Sequence, residues 1–113
     1  MVLRRQLPEG VAERMRDRQM RTVDLPEKTM RHIADRRPEM DGCEMAIKAA
    51  VESARDRCHG RKNGEPIENR EILFAPKLGD GPWLAVVVAY EGDHGTVLTA
   101  YADRRGPREA DRI

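Results

Sequence analysis

Residues 83–90, with the sequence Trp-Leu-Ala-Val-Val-Val-Ala-Tyr, form the longest apolar run of this 113-residue chain. Valine and the aromatic residues at the two ends suit a strand, and a strand that is apolar at every position belongs inside a sheet with at least one covered face. The five-residue link 91–95 that follows favours an antiparallel hairpin with the next segment. The run therefore predicts a protein built around a β-sheet.

Other segments of the second half extend this sheet. Residues 70–75 and 96–102 have the composition of strands, a short strand is expected near Arg57, and the turn-forming stretch 59–66 suits a hairpin loop. All four aromatic residues lie in this half of the chain: Phe74, Trp83, Tyr90 and Tyr101. The second half thus predicts three to four antiparallel strands.

The first half carries helix signals. Asp24 followed by Glu27 is a capping-box pattern, which predicts a helix start. This helix is expected to end near Arg36, because Pro38 disfavours helical geometry in the residue before it. A second capping box at 41–44 opens the clearest helix of the sequence, whose small and apolar residues form one stripe at helical spacing: Cys43, Ala46, Ile47, Ala50, Val51 and Ala54.

Helices followed by strands predict an α+β domain, with two to three N-terminal helices packed on one face of a three- to four-stranded antiparallel sheet. A length of 113 residues leaves room for one core only. The expected division of the chain is an N-terminal arm or short helix over residues 1–22, the α+β domain over residues 23–103 and a basic C-terminal tail over residues 104–113.

The charges nearly cancel, since 21 Lys and Arg against 20 Asp and Glu leave a net charge of +1. This balance argues against a protein that is basic as a whole, although it is compatible with local basic patches. The start of the chain lacks the apolar core of a signal peptide and no membrane-length apolar run occurs, so a cytoplasmic protein without a membrane partner is expected. Two cysteines are too few for a disulfide framework, so reduced thiols are expected.

Short motifs spread over residues 24–102 resemble one known group of proteins. They are residues 25–27 (Leu-Pro-Glu), 32–33 (His-Ile), 36–40 (Arg-Arg-Pro-Glu-Met), 70–74 (Arg-Glu-Ile-Leu-Phe), 83–88 and 95–101 (Gly-Thr-Val-Leu-Thr-Ala-Tyr). The motifs resemble the barnase/EndoU/colicin/RelE-type RNase superfamily, and more closely its phage- and mobile-element-associated uncharacterised members. The resemblance implies a helix-then-antiparallel-sheet fold, metal-independent RNA cleavage of the toxin type, and an antitoxin or immunity protein as a partner.

Position by position, the resemblance matches His32 with the family's helical histidine and Thr99 with its last-strand threonine. Arg37 stands where the family has a second histidine. Because the pKa of arginine lies above about 12, Arg37 cannot act as a general base near neutral pH. An inactive RNA- or protein-binding module of the same fold is therefore the alternative to a nuclease, and a structural or accessory protein is a third interpretation.

RNA cleavage without a metal needs a base for the 2′-OH proton, an acid for the leaving oxygen, and cations on the phosphate. A histidine such as His32 can act as the base or the acid near neutral pH. Helical spacing places it within one polar line that suits a phosphate: Lys28, Arg31, His32 and Arg36. The alternative is an ordinary solvated helix face.

On the last strand, alternation places Val97, Thr99 and Tyr101 on one face, with Thr96, Leu98 and Ala100 on the other. If Leu98 and Ala100 pack under the helices, the Thr99 hydroxyl can bond a phosphate and Tyr101 can stack on a base. The alternative is that both residues are simply good strand formers.

The predicted catalytic residues are His32, Arg36, Arg37 and Thr99. Two basic loops add candidates for phosphate contacts, so the predicted substrate-binding residues are Lys28, Arg31, Arg61, Lys62, Tyr101 and Arg104. RNA is the expected ligand, and the oligomeric state stays open. No cofactor or metal is expected, because a zinc site would need to combine residues that lack paired short spacings: Cys43, Cys58, His59 and His94.

Overall fold

A computed structural model describes residues 7–75 and 81–113 of the chain. Within these residues six strands form one sheet, accompanied by two α-helices. The elements are β1 (Val11–Arg16), β2 (Thr22–Pro26), α1 (Glu27–Arg36), α2 (Glu44–Ser53), β3 (Asp56–Lys62), β4 (Glu65–Phe74), β5 (Trp83–Glu91) and β6 (His94–Asp103). Short 3₁₀ turns cover Pro38–Met40 and Glu109–Asp111.

The strand order across the sheet is β1-β2-β6-β5-β4-β3. β2 runs parallel to β6, and all other neighbouring strands are antiparallel. β5 lies between β6 and β4, which confirms the interior position predicted from its apolar run. The pairing of β2 with β6 ends at Asp24 and Thr96, so within the described chain the rest of β6 has no strand neighbour on that side.

The predicted fold class is wrong: the sheet is six-stranded and mixed, where three to four antiparallel strands were expected. One reason is that Asp24 lies in β2 and does not cap a helix. Its carboxylate accepts a hydrogen bond from Arg14 Nε at 2.7 Å and lies 2.9 Å from His94 Nε2, and these partners hold it in the sheet. Part of the expected N-terminal arm also joins the sheet as β1, because Met15 packs into the core.

Both helices pack on the same face of the sheet. Their buried side chains are Met30 and Ile33 of α1 and Ile47, Ala50 and Val51 of α2, which pack against the strands in one apolar core. Burial of each Val, Leu or Ile side chain contributes about 1.5 to 3 kcal/mol. The stripe predicted for α2 is largely correct, although Ala46 is exposed and Cys43 is only half-buried.

A bulge in β6 decides which side chains face the helices. Val88 pairs with Val97 and Val87 pairs with Thr99, so Leu98 is an extra residue between the two pairs. As a result Val97 and Ala100 both lie in the helix-side core, while Leu98 is 38% exposed. The expectations that Leu98 packs under the helices and that Val97 shares a face with Thr99 and Tyr101 are therefore wrong.

The face of the sheet opposite the helices is called the second face here. It carries Ile72, Phe74, Ala85, Val87, Thr99 and Tyr101, which occupy facing positions on β4, β5 and β6. Thr99 and Tyr101 thus lie on the side away from the helices, as predicted from strand alternation.

Residues 104–113, called the C-terminal segment here, cross the second face from the end of β6 to the outer edge of β3. Gly106 packs beside the Trp83 indole with a φ of +69°, a conformation and a space that suit glycine. The backbone of Arg112 pairs with that of Cys58 in an isolated antiparallel β-bridge, and the Ile113 N–H donates to the carbonyl of Arg57 at 2.9 Å. The segment therefore closes part of the second face.

Neither described helix has the length and apolar composition needed to cross a membrane.

Candidate functional site

Arg37, the residue directly after α1, reaches two side chains of β6. Its backbone N–H donates to the Ile33 carbonyl at 2.8 Å, which holds it at the end of the helix. Its Nη1 donates to Thr99 Oγ1 at 3.4 Å, and its Cζ lies 5.7 Å from the centre of the Tyr101 ring. Three of the predicted site residues are therefore neighbours, and Arg37, Thr99 and Tyr101 are called the Arg37 cluster below.

The Arg37 cluster combines a cation, a hydroxyl and an aromatic ring. All three residues are half-buried, so each keeps part of its side chain accessible to a ligand. Thr99 takes one of the five guanidinium N–H groups, and the remaining groups can bind a phosphate. Burial raises the pKa of Tyr101 above its ordinary value, so the phenol stays protonated and can donate a hydrogen bond.

Four other predicted residues lie on α1 and are all exposed: Lys28, Arg31, His32 and Arg36. This placement fits a phosphate-binding line as well as a solvated helix face. Arg36 directly precedes Arg37 in the chain. His32 lies five residues before Arg37, which corresponds to about 7.5 Å of rise along the helix axis.

The predicted basic residues Arg61 and Lys62 lie on β3, which β5 and β4 separate from the β6 residues of the Arg37 cluster. Arg61 Nε donates to Asp111 Oδ1 and Arg61 Nη1 to the Gly64 carbonyl, both at 2.6 Å. These bonds attach the C-terminal segment to β3, at the edge of the sheet beyond β5 and β4. Lys62 is exposed at the end of the same strand. Arg104 is exposed directly after β6, three residues beyond Tyr101.

A cavity of about 240 Å³ lies where the C-terminal segment crosses the second face. Its lining residues are Cys58, His59, Arg61, Ile72, Phe74, Tyr101, Asp103, Gly106, Arg108 and Asp111. Tyr101 therefore belongs to both the Arg37 cluster and the lining of this cavity.

A separate polar network lies at the other end of the sheet and has a structural character. Arg21 donates to Asp17 at 2.7 Å and to Glu71 at 2.8 and 3.0 Å, and its Cζ lies 3.7 Å from the centre of the Tyr90 ring. The Tyr90 hydroxyl donates to Asp17 at 2.8 Å, and Arg57 donates to Glu71 at 3.0 Å. The network ties the β1–β2 link to β3, β4 and β5.

These contacts shift two pKa values in opposite directions. Burial, followed by the hydrogen bond to Asp17, raises the pKa of Tyr90 far above its ordinary value. Burial also acts to raise the pKa of Glu71, but the hydrogen bonds from Arg21 and Arg57 outweigh it and hold that pKa below its ordinary value. Glu71 is therefore a carboxylate that stays ionised in the fold.

Sequence reasoning missed several residues around the cavity, among them Phe74, Asp103 and Asp111. They converge because the C-terminal segment returns to β3, and the Arg61–Asp111 contact joins residues 50 positions apart. The pair Gly106 and Pro107 is a local turn signal that suggests a bend after β6. It does not indicate where the chain goes afterwards.

Comparison of the chain with family models, with curated proteins and with solved structures found no match. In residues 7–75 and 81–113, no group of three or more His, Cys, Asp and Glu side chains is arranged to hold a metal ion.

Proposed function

We propose that this protein binds single-stranded RNA at the Arg37 cluster. The observation that carries the proposal is the contact of Arg37 with both Thr99 and Tyr101, which puts a cation, a hydroxyl and an aromatic ring side by side. The cation and the hydroxyl suit a phosphate, and the ring suits stacking on an unpaired base. Single-stranded RNA offers both groups together, whereas the bases of a duplex are stacked inside it.

The charges around the cluster support this choice of ligand. Arg36 precedes Arg37, and Arg104 and Arg105 follow β6 shortly after Tyr101; these three flanking arginines are exposed. They extend the positive surface beyond the cluster itself. Because the net charge of the whole chain is only +1, the binding is expected to depend on this one surface.

The direct test is fluorescence anisotropy with a labelled single-stranded RNA of about twelve nucleotides. This length lies within the roughly 4 to 16 nucleotides that one small single-strand-binding domain covers. We expect Arg37→Ala to weaken binding about ten-fold, because it removes a charge-assisted contact and a stacked guanidinium. The matched control is Arg18→Ala, which removes an exposed arginine from the β1–β2 link and should leave the affinity unchanged. Absence of binding by the wild type, or equal losses in both variants, would overturn the proposal.

Salt dependence separates RNA from a protein ligand. If Arg37 and its neighbours contact phosphates, the logarithm of the binding constant falls linearly with the logarithm of salt concentration. Affinity that does not change with salt would contradict the phosphate contacts.

Metal-independent RNA cleavage is a second candidate function, and His32 carries it. This imidazole is exposed on α1, the helix directly before Arg37, and a histidine can exchange protons near neutral pH. In this proposal His32 acts as base or acid, Arg36 and Arg37 stabilise the phosphate, and Thr99 positions it. The test is incubation of the protein with RNA and EDTA. No cleavage by the wild type, or unchanged cleavage by His32→Ala, would rule out the enzyme and leave RNA binding to its own test.

A further inference from the structure

We infer that the cavity beside Tyr101 is a nucleobase pocket that favours bases with an exocyclic amino group over uracil. The inference rests on the proposed function, because it places the base of an RNA whose phosphate is held by the Arg37 cluster. Tyr101 lines the cavity and also lies against Arg37, so the two subsites meet at one side chain.

The size and walls of the cavity suit one planar ring system. Its volume of about 240 Å³ lies below the range of roughly 300 to 1,000 Å³ that is typical of drug-sized ligands. Half-buried Ile72 and Tyr101 supply an apolar and an aromatic wall, and Phe74, which is 3% exposed, adds only a small apolar surface. Such walls favour the faces of a nucleobase, since every base has a π-face that can stack on an aromatic side chain.

The polar side of the cavity carries a hydrogen-bond acceptor. Asp103 Oδ1 accepts the backbone N–H groups of Arg105 at 2.8 Å and Gly106 at 3.3 Å, which holds the turn after β6. Asp103 Oδ2 accepts no hydrogen bond from the described residues. The other cavity carboxylate, Asp111, is already paired with Arg61 at 2.6 Å. Asp103 therefore presents an acceptor that a ligand N–H can satisfy.

This acceptor distinguishes the bases by their chemistry. Adenine, cytosine and guanine each present an exocyclic amino group that can donate to a carboxylate, as carboxylates do with cytosine N4. Uracil instead places a carbonyl oxygen on either side of its ring N–H. A uracil carbonyl facing Asp103 would leave two acceptors opposite each other, and because binding removes both from water without supplying a donor, affinity falls by about ten-fold or more.

Trp83 provides a signal for binding, because it is the only tryptophan of the chain. Its ring lies 6.2 Å from that of Phe74 and beside Gly106, and both of these residues line the cavity. Titration of the intact protein with AMP, CMP, GMP, UMP and ribose 5-phosphate should therefore change its fluorescence, with calorimetry as a second readout. We expect UMP to bind about ten-fold more weakly than the other three nucleotides, and ribose 5-phosphate to bind more weakly still.

The decisive variant is Asp103→Asn. Asparagine Oδ1 can still accept the N–H groups of Arg105 and Gly106, so the turn is retained, while the new amide nitrogen is a donor at the position of the free acceptor Oδ2. We expect this variant to lose the discrimination against UMP. Asp93→Asn is the matched control, because it makes the same charge change in the exposed turn between β5 and β6 and should keep the discrimination.

Three results would overturn the inference: no binding of any mononucleotide, equal affinity for UMP and the amino-bearing nucleotides, or discrimination that survives in Asp103→Asn. If RNA binding falls in Arg37→Ala while one of these results is obtained, the pocket is refuted and the proposed function stands. If UMP discrimination is lost in Asp103→Asn but RNA does not bind, the pocket stands and the proposed function is refuted.

Discussion

Arg37 Nη1 lies 3.4 Å from Thr99 Oγ1, although 62 residues separate them in the chain. Because β2 pairs with β6 only as far as Thr96, no strand covers this side of β6 beyond that residue in the described chain. The end of α1 borders this uncovered part of β6, and Arg37 can therefore reach Thr99. The sheet thus leaves the place that Arg37 occupies beside β6. Substitutions of the Arg37 side chain therefore test its charge and hydrogen-bonding groups at a fixed position.

Arg37→Lys is predicted to weaken RNA binding about five-fold, which is less than the loss expected for Arg37→Ala. Lysine keeps the positive charge, but it lacks the planar fork that can bond a phosphate and stack on Tyr101 at the same time. The measurement is anisotropy as a function of salt concentration, which gives the slope of the logarithm of the binding constant against the logarithm of salt. Arg37→Ala should reduce this slope by an amount that corresponds to about one phosphate contact, and Arg37→Lys should not. Wild-type affinity in Arg37→Lys would show that charge alone is required, and Arg18→Lys serves as the control.

Glu71→Gln is predicted to lower the free energy of unfolding by roughly 3 kcal/mol, because it leaves the partly buried cations of Arg21 and Arg57 without their shared carboxylate. Urea denaturation followed by Trp83 fluorescence measures the change. Glu68→Gln is the control, since Glu68 is exposed on the same strand and its replacement should cost less than about 0.5 kcal/mol. Equal stability of the two variants would show that the network does not stabilise the fold.

The protein is predicted to lose stability in acid through Asp24 and Glu71. The hydrogen bond from Arg14 lowers the pKa of Asp24, and the hydrogen bonds from Arg21 and Arg57 lower that of Glu71 against the effect of burial. Since both pKa values are lower in the folded state than the value of about 4 in the unfolded chain, acid favours the unfolded state, which binds more protons.

The stabilisation from these two carboxylates is therefore complete above about pH 5 and is lost as the pH falls through the folded-state pKa values. Melting temperatures measured between pH 7 and pH 3 should fall in this window, with a smaller fall in Asp24→Asn and in Glu71→Gln. A wild-type melting temperature that stays constant, or an equally steep fall in both variants, would contradict the assignment.

The C-terminal segment is predicted to protect Cys58. This thiol is 3% exposed, burial raises its pKa, and it donates to the carbonyl of Arg108. Cys43 is half-buried and should react first with a thiol-reactive dye at pH 8. Deletion of residues 107–113 should accelerate the slow second reaction at least ten-fold.

The Cys43→Ala variant isolates the reaction of Cys58 and serves as the background for this deletion. An unchanged rate for Cys58 after the deletion would show that the segment does not cover it. A faster rate for Cys58 in Arg112→Ala alone would assign part of the protection to the ion pairs of the Arg112 side chain with Asp56 and Glu109.

Local patterns predicted those elements whose signals lie within one segment. The end of α1 follows from Pro38, α2 follows from its helical period, and the interior position of β5 follows from its uninterrupted apolar run. The helix start predicted from the capping pattern at Asp24 is wrong, because the carboxylate of Asp24 pairs with Arg14 and His94 instead. Whether an Asp caps a helix or pairs across strands depends on partners that the local sequence does not reveal.

The two faces of β6, which carry part of the candidate site, also depend on a strand partner that the local sequence does not reveal. Alternation correctly placed Thr99 and Tyr101 together, but it wrongly placed Val97 with them and Leu98 under the helices, because the bulge shifts both residues to the opposite face. The bulge is a property of the pairing with β5, and an extra residue in one strand changes which side chains share a face.

By itself, the sequence determined that residues 83–90 form an interior strand, because a segment without polar side chains has no face to turn toward water. It also predicted two to three helices before three to four antiparallel strands, which is wrong because β1 and β2 precede α1 and join a mixed six-stranded sheet. Only the tertiary structure decided that Arg37 meets Thr99 and Tyr101, and that the C-terminal segment encloses a cavity at Tyr101. These arrangements depend on contacts such as Arg61–Asp111 and Arg37–Thr99, which join residues 50 and 62 positions apart. The free energy of such contacts arises only when the distant segments pack together.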